Sequence, residues 1–393
     1  MSESIVVVDG VRTAIGRFGG GFVNTPAAEL GAIVIREAVQ RAGIEPSHVD
    51  QVVLGCVGQV AEDAYISRHA AVKAGIPIEV PAYNVNRLCG SGLEAITTGA
   101  RWIQTGEADI VVAGGVENMS MLPYYQRTAR YGLRMGNAEL EDAIPILLSD
   151  PFNRYHMGIT AENLAKEYSL TREEQDVFAV ESHRRAIDAI ESGRFADEIV
   201  PVEVKAGRET KVIDRDEHPR ADSSIERMGG LKPAFQEGGS VTAGNASGIN
   251  DGAAAVVLMS ERKANELGLK PRLRLVDSAV AGVEPSLMGS GPIPATKKVL
   301  ERSGVHRDDL DSIELNEAFA AVALACSRAL EIDPARTNPN GGAVALGHPV
   351  GATGTILTVK LMNELARTGG KMGLVSLCIG GGQGISAIFE NVS

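Results

Sequence analysis

The chain has 393 residues, which is long for one ordinary domain and favours two or three packed units. Its formal net charge of −12 argues against general binding to nucleic acid or to an anionic membrane, although local cations and helix N-termini can still hold phosphate groups. No apolar run approaches the roughly 20 residues of a membrane helix, and the start of the chain lacks a basic leader pattern. We therefore expect a cytoplasmic protein without a membrane partner.

Strands and helices alternate along the first part of the chain. Short β-rich runs between glycine or proline signals predict strands at residues 5–8, 51–54, 82–85 and 109–113. Apolar residues at helical spacing predict helices at residues 27–41 and 91–105. Together with the high glycine content, 45 residues, this alternation indicates an α/β protein with many tight strand–helix turns.

The same alternation begins again in the last third of the chain. Strands are predicted near residues 272–276 and at residues 312–315, 373–377 and 384–389. Helices are predicted near residues 295–302, at residues 317–330 and near residues 352–366. The chain thus starts a second α/β pattern after the first one ends.

Two segments, residues 41–54 and 302–315, look like copies of each other, since both contain an Arg-x-Gly sequence and then Asp before a β-rich run. A second match places Asn84-Val-Asn86 and Asn338-Pro-Asn340 each before a glycine turn and a helix. The shared order of these matches predicts two related α/β halves. Equivalent loops of such halves can face one cleft at the carboxyl ends of the strands.

The pattern changes between the halves, where a charged helix at residues 172–192 and a polar stretch at residues 206–227 interrupt it. This region predicts an insertion that covers the cleft, as loops that recognise substrates often do. The predicted division is an N-terminal half (1–117 plus 248–270), an inserted loop domain (118–247) and a C-terminal half (271–393).

The four cysteines, Cys56, Cys89, Cys326 and Cys378, stand far apart without a CxxC pair. A zinc site or a disulfide framework is therefore not expected, and ligand spacing suggests no metal. Each cysteine is either a small core residue or a reactive thiol, and its neighbours must decide which.

Cys89 lies in Arg87-Leu-Cys89-Gly-Ser-Gly, directly after a predicted strand and at the start of an apolar helix. The positive end of a helix dipole lowers the pKa of a thiol, so this position favours a reactive thiolate. A buried cysteine in an ordinary strand–helix turn is the plain alternative. Cys378 ends a predicted strand and precedes Ile-Gly-Gly-Gly, a turn whose bare backbone N–H groups can stabilise an oxyanion.

His348, in Gly347-His348-Pro, is predicted to follow a strand-like run and to open a helix. The proline fixes the backbone beside it, so the imidazole is a credible base. Asn316 stands at another predicted strand–helix junction, where its amide is either an N-cap or a group that holds a water or an oxyanion. A cysteine nucleophile needs a base, and a second thiol can move a proton at carbon, so the set predicts acyl transfer with a carbanion step.

These motifs resemble those of the thiolase family, in the right order and nearly end to end. The matching segments are residues 12–20, Asn86-Arg-Leu-Cys89-Gly-Ser-Gly, Glu117-Asn-Met-Ser, His156-Met-Gly, Thr242-Ala-Gly-Asn-Ala-Ser247, Met288-Gly, Asn316-Glu-Ala-Phe319, Gly347-His348-Pro and Cys378-Ile-Gly-Gly-Gly. The resemblance implies a duplicated thiolase fold, with two similar α/β halves in a five-layer αβαβα arrangement and an inserted loop domain.

The resemblance also implies the roles of the catalytic residues in a ping-pong reaction. Cys89 would carry the acyl group as a thioester, His348 would take the thiol proton, and Cys378 would move a proton at the α-carbon. His348 and a water held by Asn316 would form one oxyanion site, while the backbone N–H groups of Cys89 and Gly380 would form the other.

The substrates implied by the resemblance are acyl-CoA and CoA, with no permanently bound cofactor. Residues expected to contact coenzyme A or its acyl group are His156, Met157, Arg220, Ser247, Met288, Ala318 and Phe319. Simple core packing is the plain alternative for Met288 and Phe319.

The most specific reading is an acetyl-CoA acetyltransferase that joins two acetyl-CoA molecules into acetoacetyl-CoA and CoA. A degradative 3-ketoacyl-CoA thiolase is the alternative, and a β-ketoacyl synthase or a non-enzymatic acyl-CoA-binding protein is more distant. The second cysteine, Cys378, argues against the synthase, and the intact set of catalytic residues argues against the binding protein. The resemblance also implies a homotetramer, a dimer of dimers.

Overall fold

The computed structural model describes residues 3–393, so the first two residues of the predicted N-terminal half lie outside it. The strands are β1 Ile5–Arg12, β2 Gly16–Arg17, β3 Gln51–Gly55, β4 Ala82–Val85, β5 Ile110–Asn118, β6 Tyr124–Tyr125, β7 Glu141–Asp142, β8 Val202–Ala206, β9 Glu209–Ile213, β10 Asn250–Ser260, β11 Leu273–Gly282, β12 Ser312–Leu315, β13 Met372–Ile379 and β14 Gln383–Asn391. The predicted strands therefore all exist, most of them a few residues longer than expected.

The helices alternate with these strands. They are α1 Ala27–Arg41, α2 Ile66–Ala74, α3 Ser91–Gln104, α4 Ala143–Leu147, α5 Met157–Glu167, α6 Arg172–Glu191, α7 Ile225–Gly229, α8 Glu261–Glu266, α9 Pro292–Ser303, α10 Ala320–Leu330, α11 Ala343–Leu346 and α12 Thr353–Thr368. Short 3₁₀ turns at Pro46–His48 and Arg307–Asp309 lead into β3 and β12, at matching places in the two predicted copies.

The main strands form one continuous ten-stranded sheet in the order β12-β13-β14-β11-β1-β10-β5-β3-β4, with β2 on β10. The strands β3, β4 and β5 are parallel, as are β12 and β13, whereas β1, β10, β11 and β14 run antiparallel to their neighbours. A short contact between β1 and β11, from Ile5 to Val7, joins the part of the sheet built by each half.

Burial divides these elements into five layers. Strand residues such as Leu54 face α1 and α2, whereas the alternate residue Val53 faces α3 and α12. The far side of α3 and α12 contacts the second set of strands, for example at Leu377, and the opposite face of that set, including Leu374, packs on α9 and α10. The order helix, sheet, helix, sheet, helix confirms the predicted fold class.

Two sequence predictions about elements need correction. The helix predicted from residue 317 begins at Ala320, because Phe319 is extended and Glu317 is held by side chains outside the helix. Asn316 is therefore not the N-cap of α10. His348 follows the short helix α11 rather than a strand, so it does not lie at the carboxyl end of a strand.

The segment predicted as an insertion contains α4 to α7 and the hairpin of β8 and β9. A buried ion network ties it to the sheet: the Arg12 guanidinium donates to Glu198 at 2.7 Å and to both oxygens of Asp216 at 2.7 and 3.0 Å. Asp216 also accepts the Ile15 backbone N–H. The domain boundaries themselves stay a prediction.

Among residues 3–393, no helix combines the length and the apolar character needed to cross a membrane.

Candidate active site

Cys89 sits in a tight turn that joins β4 to α3. Leu88 takes a left-handed conformation (φ 45°), which is strained for a residue with a side chain. The turn is braced by polar contacts: Leu88 N–H donates to Asn86 Oδ1, while Ser91 Oγ accepts the Arg87 N–H and donates to the Leu88 carbonyl. The thiol is thereby held at the N-terminus of α3, as the sequence predicts.

The electrostatic prediction for Cys89 is wrong in direction. Burial raises the pKa of the Cys89 thiol to about 11, although backbone N–H groups of Gly380 and of Cys89 itself act in the opposite sense. The charge of Glu117 raises this pKa further. Desolvation of the thiolate outweighs these two backbone donors. Cys89 is therefore a neutral thiol near pH 7 and needs a base.

His348 is buried, and its backbone N–H donates to Asn250 Oδ1 at 2.9 Å. Its Nδ1 lies 2.7 Å from Thr353 Oγ1, the first residue of α12. The Thr353 hydroxyl donates to the Pro349 carbonyl at 2.8 Å, so its oxygen must accept from Nδ1–H. This assigns the proton of the neutral ring to Nδ1 and leaves Nε2 unprotonated, with a lone pair that can accept a proton.

Two features make His348 suitable as a base. Burial lowers the pKa of the imidazole to about 4, so the ring is neutral near pH 7. Asn316, which is completely buried, places Nδ2 at 3.5 Å from His348 Nε2. The structure thus brings the predicted histidine and asparagine together. Asn316 Oδ1 has no hydrogen-bond partner among the described residues.

Cys378 is the penultimate residue of β13 and is fully buried. Burial raises the pKa of the Cys378 thiol well above its ordinary value, and the charge of Cys89 is the next cause. The two sulfur atoms are therefore close enough to influence each other. After β13 the chain turns through Gly381 and Gly382, both with positive φ, and this turn brings the Gly380 N–H toward the Cys89 thiol.

A cavity of about 410 Å³ opens beside these residues. Cys89, His348 and Gly380 contribute to its wall, and so do all the residues expected to contact coenzyme A, namely His156, Met157, Arg220, Ser247, Met288, Ala318 and Phe319. The predicted nucleophile, the predicted base and the expected binding residues therefore surround one space. Cys378 and Asn316 do not line it, although Asn316 Nδ2 lies 3.5 Å from His348 Nε2.

The polar residues of the wall are held in defined orientations. His156 caps α5 by accepting the Gly158 N–H at its Nδ1, and its ring stacks on Phe235 with centroids 4.7 Å apart. Its Nε2 is then the protonated nitrogen and can donate into the cavity. Ser247 N–H donates to the Ala318 carbonyl, which joins the end of the insertion to the loop before α10.

Arg220 lies at the outer end of this cavity and also borders a second, adjoining space of about 550 Å³. Its guanidinium is exposed and forms no ion pair with the described residues. The Arg220 backbone N–H donates to His183 Nδ1 on α6, and His218 stacks against His183. An exposed, unpaired cation at the mouth of a deep cavity fits an anionic part of a ligand.

Several residues that shape the site were not singled out from the sequence. Phe235 stacks on His156, Thr353 and Asn250 orient His348, and Glu117 bonds the neighbouring loops. Glu117 lies within a segment that resembles the family, but its contacts join distant parts of the chain, whereas Thr353 lies five residues after His348 and outside the matching Gly347-His348-Pro segment. Nothing in the local sequence marks Phe235.

Within residues 3–393, no group of three or more His, Cys, Asp or Glu side chains is placed to hold a metal ion.

Comparison with known proteins agrees with this geometry. The thiolase N-terminal domain model matches residues 5–262, and the thiolase C-terminal domain model matches residues 269–391. The chain is 54% identical to beta-ketothiolase BktB of Cupriavidus necator over 100% of both chains. It is 52% identical to an acetyl-CoA acetyltransferase of Pseudomonas aeruginosa over 98% of both chains. The crystal structure of the Bacillus anthracis acetyl-CoA acetyltransferase superposes with a TM-score of 0.98, at 48% identity and 99% coverage of both chains. The protein belongs to the thiolase family.

Proposed function

We propose that this protein is an acetyl-CoA acetyltransferase that interconverts two acetyl-CoA molecules with acetoacetyl-CoA and CoA through an acyl-thioester on Cys89. The observation that carries the proposal is the placement of Cys89, His348 and Gly380 around one cavity, with Asn316 Nδ2 3.5 Å from His348 Nε2. The names of two relatives that are 54% and 52% identical to the chain, beta-ketothiolase and acetyl-CoA acetyltransferase, favour this reaction over the degradative alternative.

In the cleavage direction, His348 Nε2 takes the proton of the Cys89 thiol. The resulting thiolate attacks the β-carbonyl carbon of acetoacetyl-CoA, and the bond between the α- and β-carbons breaks. The electron pair stays on the α-carbon as the enolate of acetyl-CoA, and the Cys378 thiol protonates it. Because burial keeps the Cys378 pKa high, this thiol carries the proton that the step requires.

The second half of the reaction releases the acyl group. The proton on His348 returns to the Cys378 thiolate, and His348 is neutral again. The CoA thiol then gives its proton to His348 and attacks the Cys89 thioester, so that Cys89 leaves and regains a proton from His348. Every group ends in its starting state. Condensation is the same sequence in reverse.

Both carbonyl oxygens need donors while they carry negative charge. The backbone N–H groups of Cys89 and Gly380, which already point at the thiol, are suited to the oxygen of the acyl group on Cys89. Asn316 Oδ1, which has no partner among residues 3–393, offers an acceptor for a water beside His348, which supports the second oxyanion site. Such fixed donors are worth most in a site from which bulk water is excluded.

The cavity suits a coenzyme A thioester as substrate, and no permanently bound cofactor enters the proposal. Apolar residues, among them Met157, Met288 and Phe319, form part of its wall. His156 and Ser247 offer polar contacts to the pantetheine arm. Arg220 offers a cation to the nucleotide part at the exposed end. This combination of apolar and cationic residues matches a short acyl group on a long phosphorylated carrier.

The test is to incubate the protein with acetyl-CoA and to follow both acetoacetyl-CoA formation and the mass of the Cys89 peptide. We expect a mass increase of one acetyl group on Cys89, lost when CoA is added. Cys378→Ser should keep the adduct but lose most of the condensation, because only the carbanion step needs the second thiol. Absence of any adduct on wild-type Cys89 would contradict the proposal, and full condensation by Cys378→Ser would favour a β-ketoacyl synthase.

We also propose a homotetramer, formed as a dimer of dimers. Among the described residues, β4 pairs with β3 on one side only, whereas the outer side of β12 is covered through Ile313 by residues 336–338. An open sheet edge favours pairing with a second chain. The loop at residues 121–140 exposes Tyr131 and Met135, which supports a second contact.

A cytoplasmic location fits the four free thiols and can be tested by cell fractionation.

A further inference from the structure

Glu117 lies near the carboxyl end of β5 and is almost completely buried beneath the active-site loops. Its Oε2 accepts the backbone N–H of Val57 at 3.1 Å and that of Gly351 at 2.8 Å. Its Oε1 accepts the N–H of Gly58 at 2.8 Å, and the Cys56 sulfur lies 3.8 Å away. A carboxylate whose hydrogen-bond partners are all donors joins two loops that are far apart in the sequence.

The two loops are shaped to let this carboxylate approach. A Cβ atom on Gly58 would lie 2.8 Å from Glu117 Oε1, and a Cβ atom on Gly351 would lie 2.8 Å from Oε2. Any side chain at either position would therefore displace the carboxylate or the loop. Glycine is therefore required at both Gly58 and Gly351.

Both loops border the reacting groups. The first loop follows β3, whose end lies beside β4 and so beside the turn that carries Cys89. The second loop, residues 349–351, directly follows His348 and leads into α12. Glu117 makes no ion pair with the described residues, so its contacts are the loop N–H groups and the Cys56 thiol.

We propose that Glu117 is a positioning residue for acyl transfer: its carboxylate clamps the loop after β3 to the loop after His348 and thereby fixes the base relative to Cys89. This inference rests on the proposed reaction at Cys89. It gives Glu117 a role through geometry, because the side chain lies behind the cavity and does not touch the substrate space.

The clamp has an electrostatic consequence that a purely structural contact would lack. The charge of Glu117 raises the pKa of the Cys89 thiol, after the larger effect of burial. The titratable groups that face Glu117 are the Cys56 thiol, the Asp63 carboxylate and the Cys89 thiol. Removing the charge of Glu117 should therefore make the Cys89 thiol more acidic, while a loosened loop makes His348 a poorer base.

The experiment uses the full-length protein with Glu117→Gln. The glutamine amide keeps one acceptor oxygen, but its NH₂ group cannot accept a hydrogen bond from the backbone N–H that it faces. The side chain therefore loses its contact with one of the two loops. We expect kcat for acetoacetyl-CoA cleavage to fall about 100-fold, the scale of a small misplacement of a catalytic group, with KM changed less than twofold. The pH midpoint of Cys89 alkylation by iodoacetamide should move to lower pH.

Glu364→Gln is the matched control, since Glu364 is also buried but lies near the C-terminal end of α12, where it contacts Asn340 and Arg367. It should keep kcat and the alkylation midpoint of the wild type. Wild-type kcat together with an unchanged midpoint in Glu117→Gln would overturn the proposal, and so would equal losses in both variants.

Gly351→Ala provides a second route if Glu117→Gln does not fold. The added Cβ atom would lie 2.8 Å from Glu117 Oε2 and 2.8 Å from the Cys56 Cα, so it should push the two loops apart and lower kcat, with KM changed little and the unfolding temperature lowered. Wild-type kcat in Gly351→Ala would contradict the clamp. A wild-type protein without acetoacetyl-CoA activity would instead refute the proposed function, and the alkylation profile would still test the effect of Glu117 on Cys89.

Discussion

At the scale of single residues, burial sets the resting charge of the catalytic groups. It raises the pKa of the Cys89 thiol to about 11, raises that of Cys378, and lowers the pKa of the His348 imidazole to about 4. All three groups are consequently uncharged near pH 7. Proton transfer from the thiol to the imidazole creates a thiolate and an imidazolium in a poorly hydrated site. The transfer must therefore occur together with formation of the bond from the sulfur to the substrate, and nearby hydrogen-bond donors must stabilise the negative charge that develops.

The Thr353 hydroxyl determines which nitrogen of His348 can accept a proton. Thr353→Val has nearly the same shape but removes the acceptor for Nδ1–H, so the ring loses the constraint that keeps Nε2 unprotonated. We expect kcat to fall about 10- to 100-fold, which is part of the usual contribution of a general base, with KM nearly unchanged. Thr353→Ser keeps the hydroxyl and should retain most activity. Steady-state kinetics of the Val and Ser variants measure this difference in kcat. Equal activity of the two variants would refute the assignment of the imidazole proton to Nδ1.

At the scale of elements, amphipathic helices and short strands were predictable because their apolar spacing is local. α1 begins and ends where the sequence predicts, and β4 and β12 also agree. The central strand β10 was not predicted, because an alanine-rich run buried on both faces shows no alternation and resembles a buried helix. The same limit applies to the site. Motifs identified Cys89 and His348, but the clamp by Glu117 depends on pairing between distant segments.

The contact between α6 and the loop that ends at Arg220 should depend on pH. Burial lowers the pKa of His183 to about 4, and the neighbouring charges of His218 and Arg220 act in the same direction. The unfolded chain binds a proton below about pH 6.5, and the folded chain binds it only near pH 4. Stability is therefore lost as the pH falls from 6.5 to 4, by at most about 1.4 kcal/mol per pH unit for one histidine.

His183→Gln should reduce this pH dependence. The glutamine oxygen can accept the Arg220 N–H as His183 Nδ1 does, but glutamine does not titrate. We expect urea unfolding at pH 7 to change little, whereas the loss of stability between pH 6.5 and 4.5 should be smaller than in the wild type. The exposed His306, replaced by Gln, is the control and should leave the wild-type slope. Parallel slopes for His183→Gln and wild type would show that His183 is not held neutral.

At the scale of the whole molecule, two surfaces are open to further copies of the chain, and they differ in chemistry. The outer edge of β4 offers unpaired backbone groups of a strand that continues into the Cys89 turn. The loop at residues 121–140 offers apolar side chains and lies outside the five layers. A dimer formed at the β4 edge would support the Cys89 turn directly, whereas contacts at the loop would join completed dimers. Loss of the loop contact should therefore leave the active site intact.

Tyr131→Asp combined with Met135→Asp tests this order of assembly. Both side chains are fully exposed in the single chain, so the charges cost little in the fold but oppose burial at an apolar contact. Light scattering should give about four times the 41.3 kDa chain mass for the wild type and about twice that mass for the double variant. The variant dimer should keep its activity per chain, because no catalytic group lies in the loop. A wild-type protein that is a stable monomer would refute both contacts, and a double variant that stays tetrameric would place the second contact elsewhere.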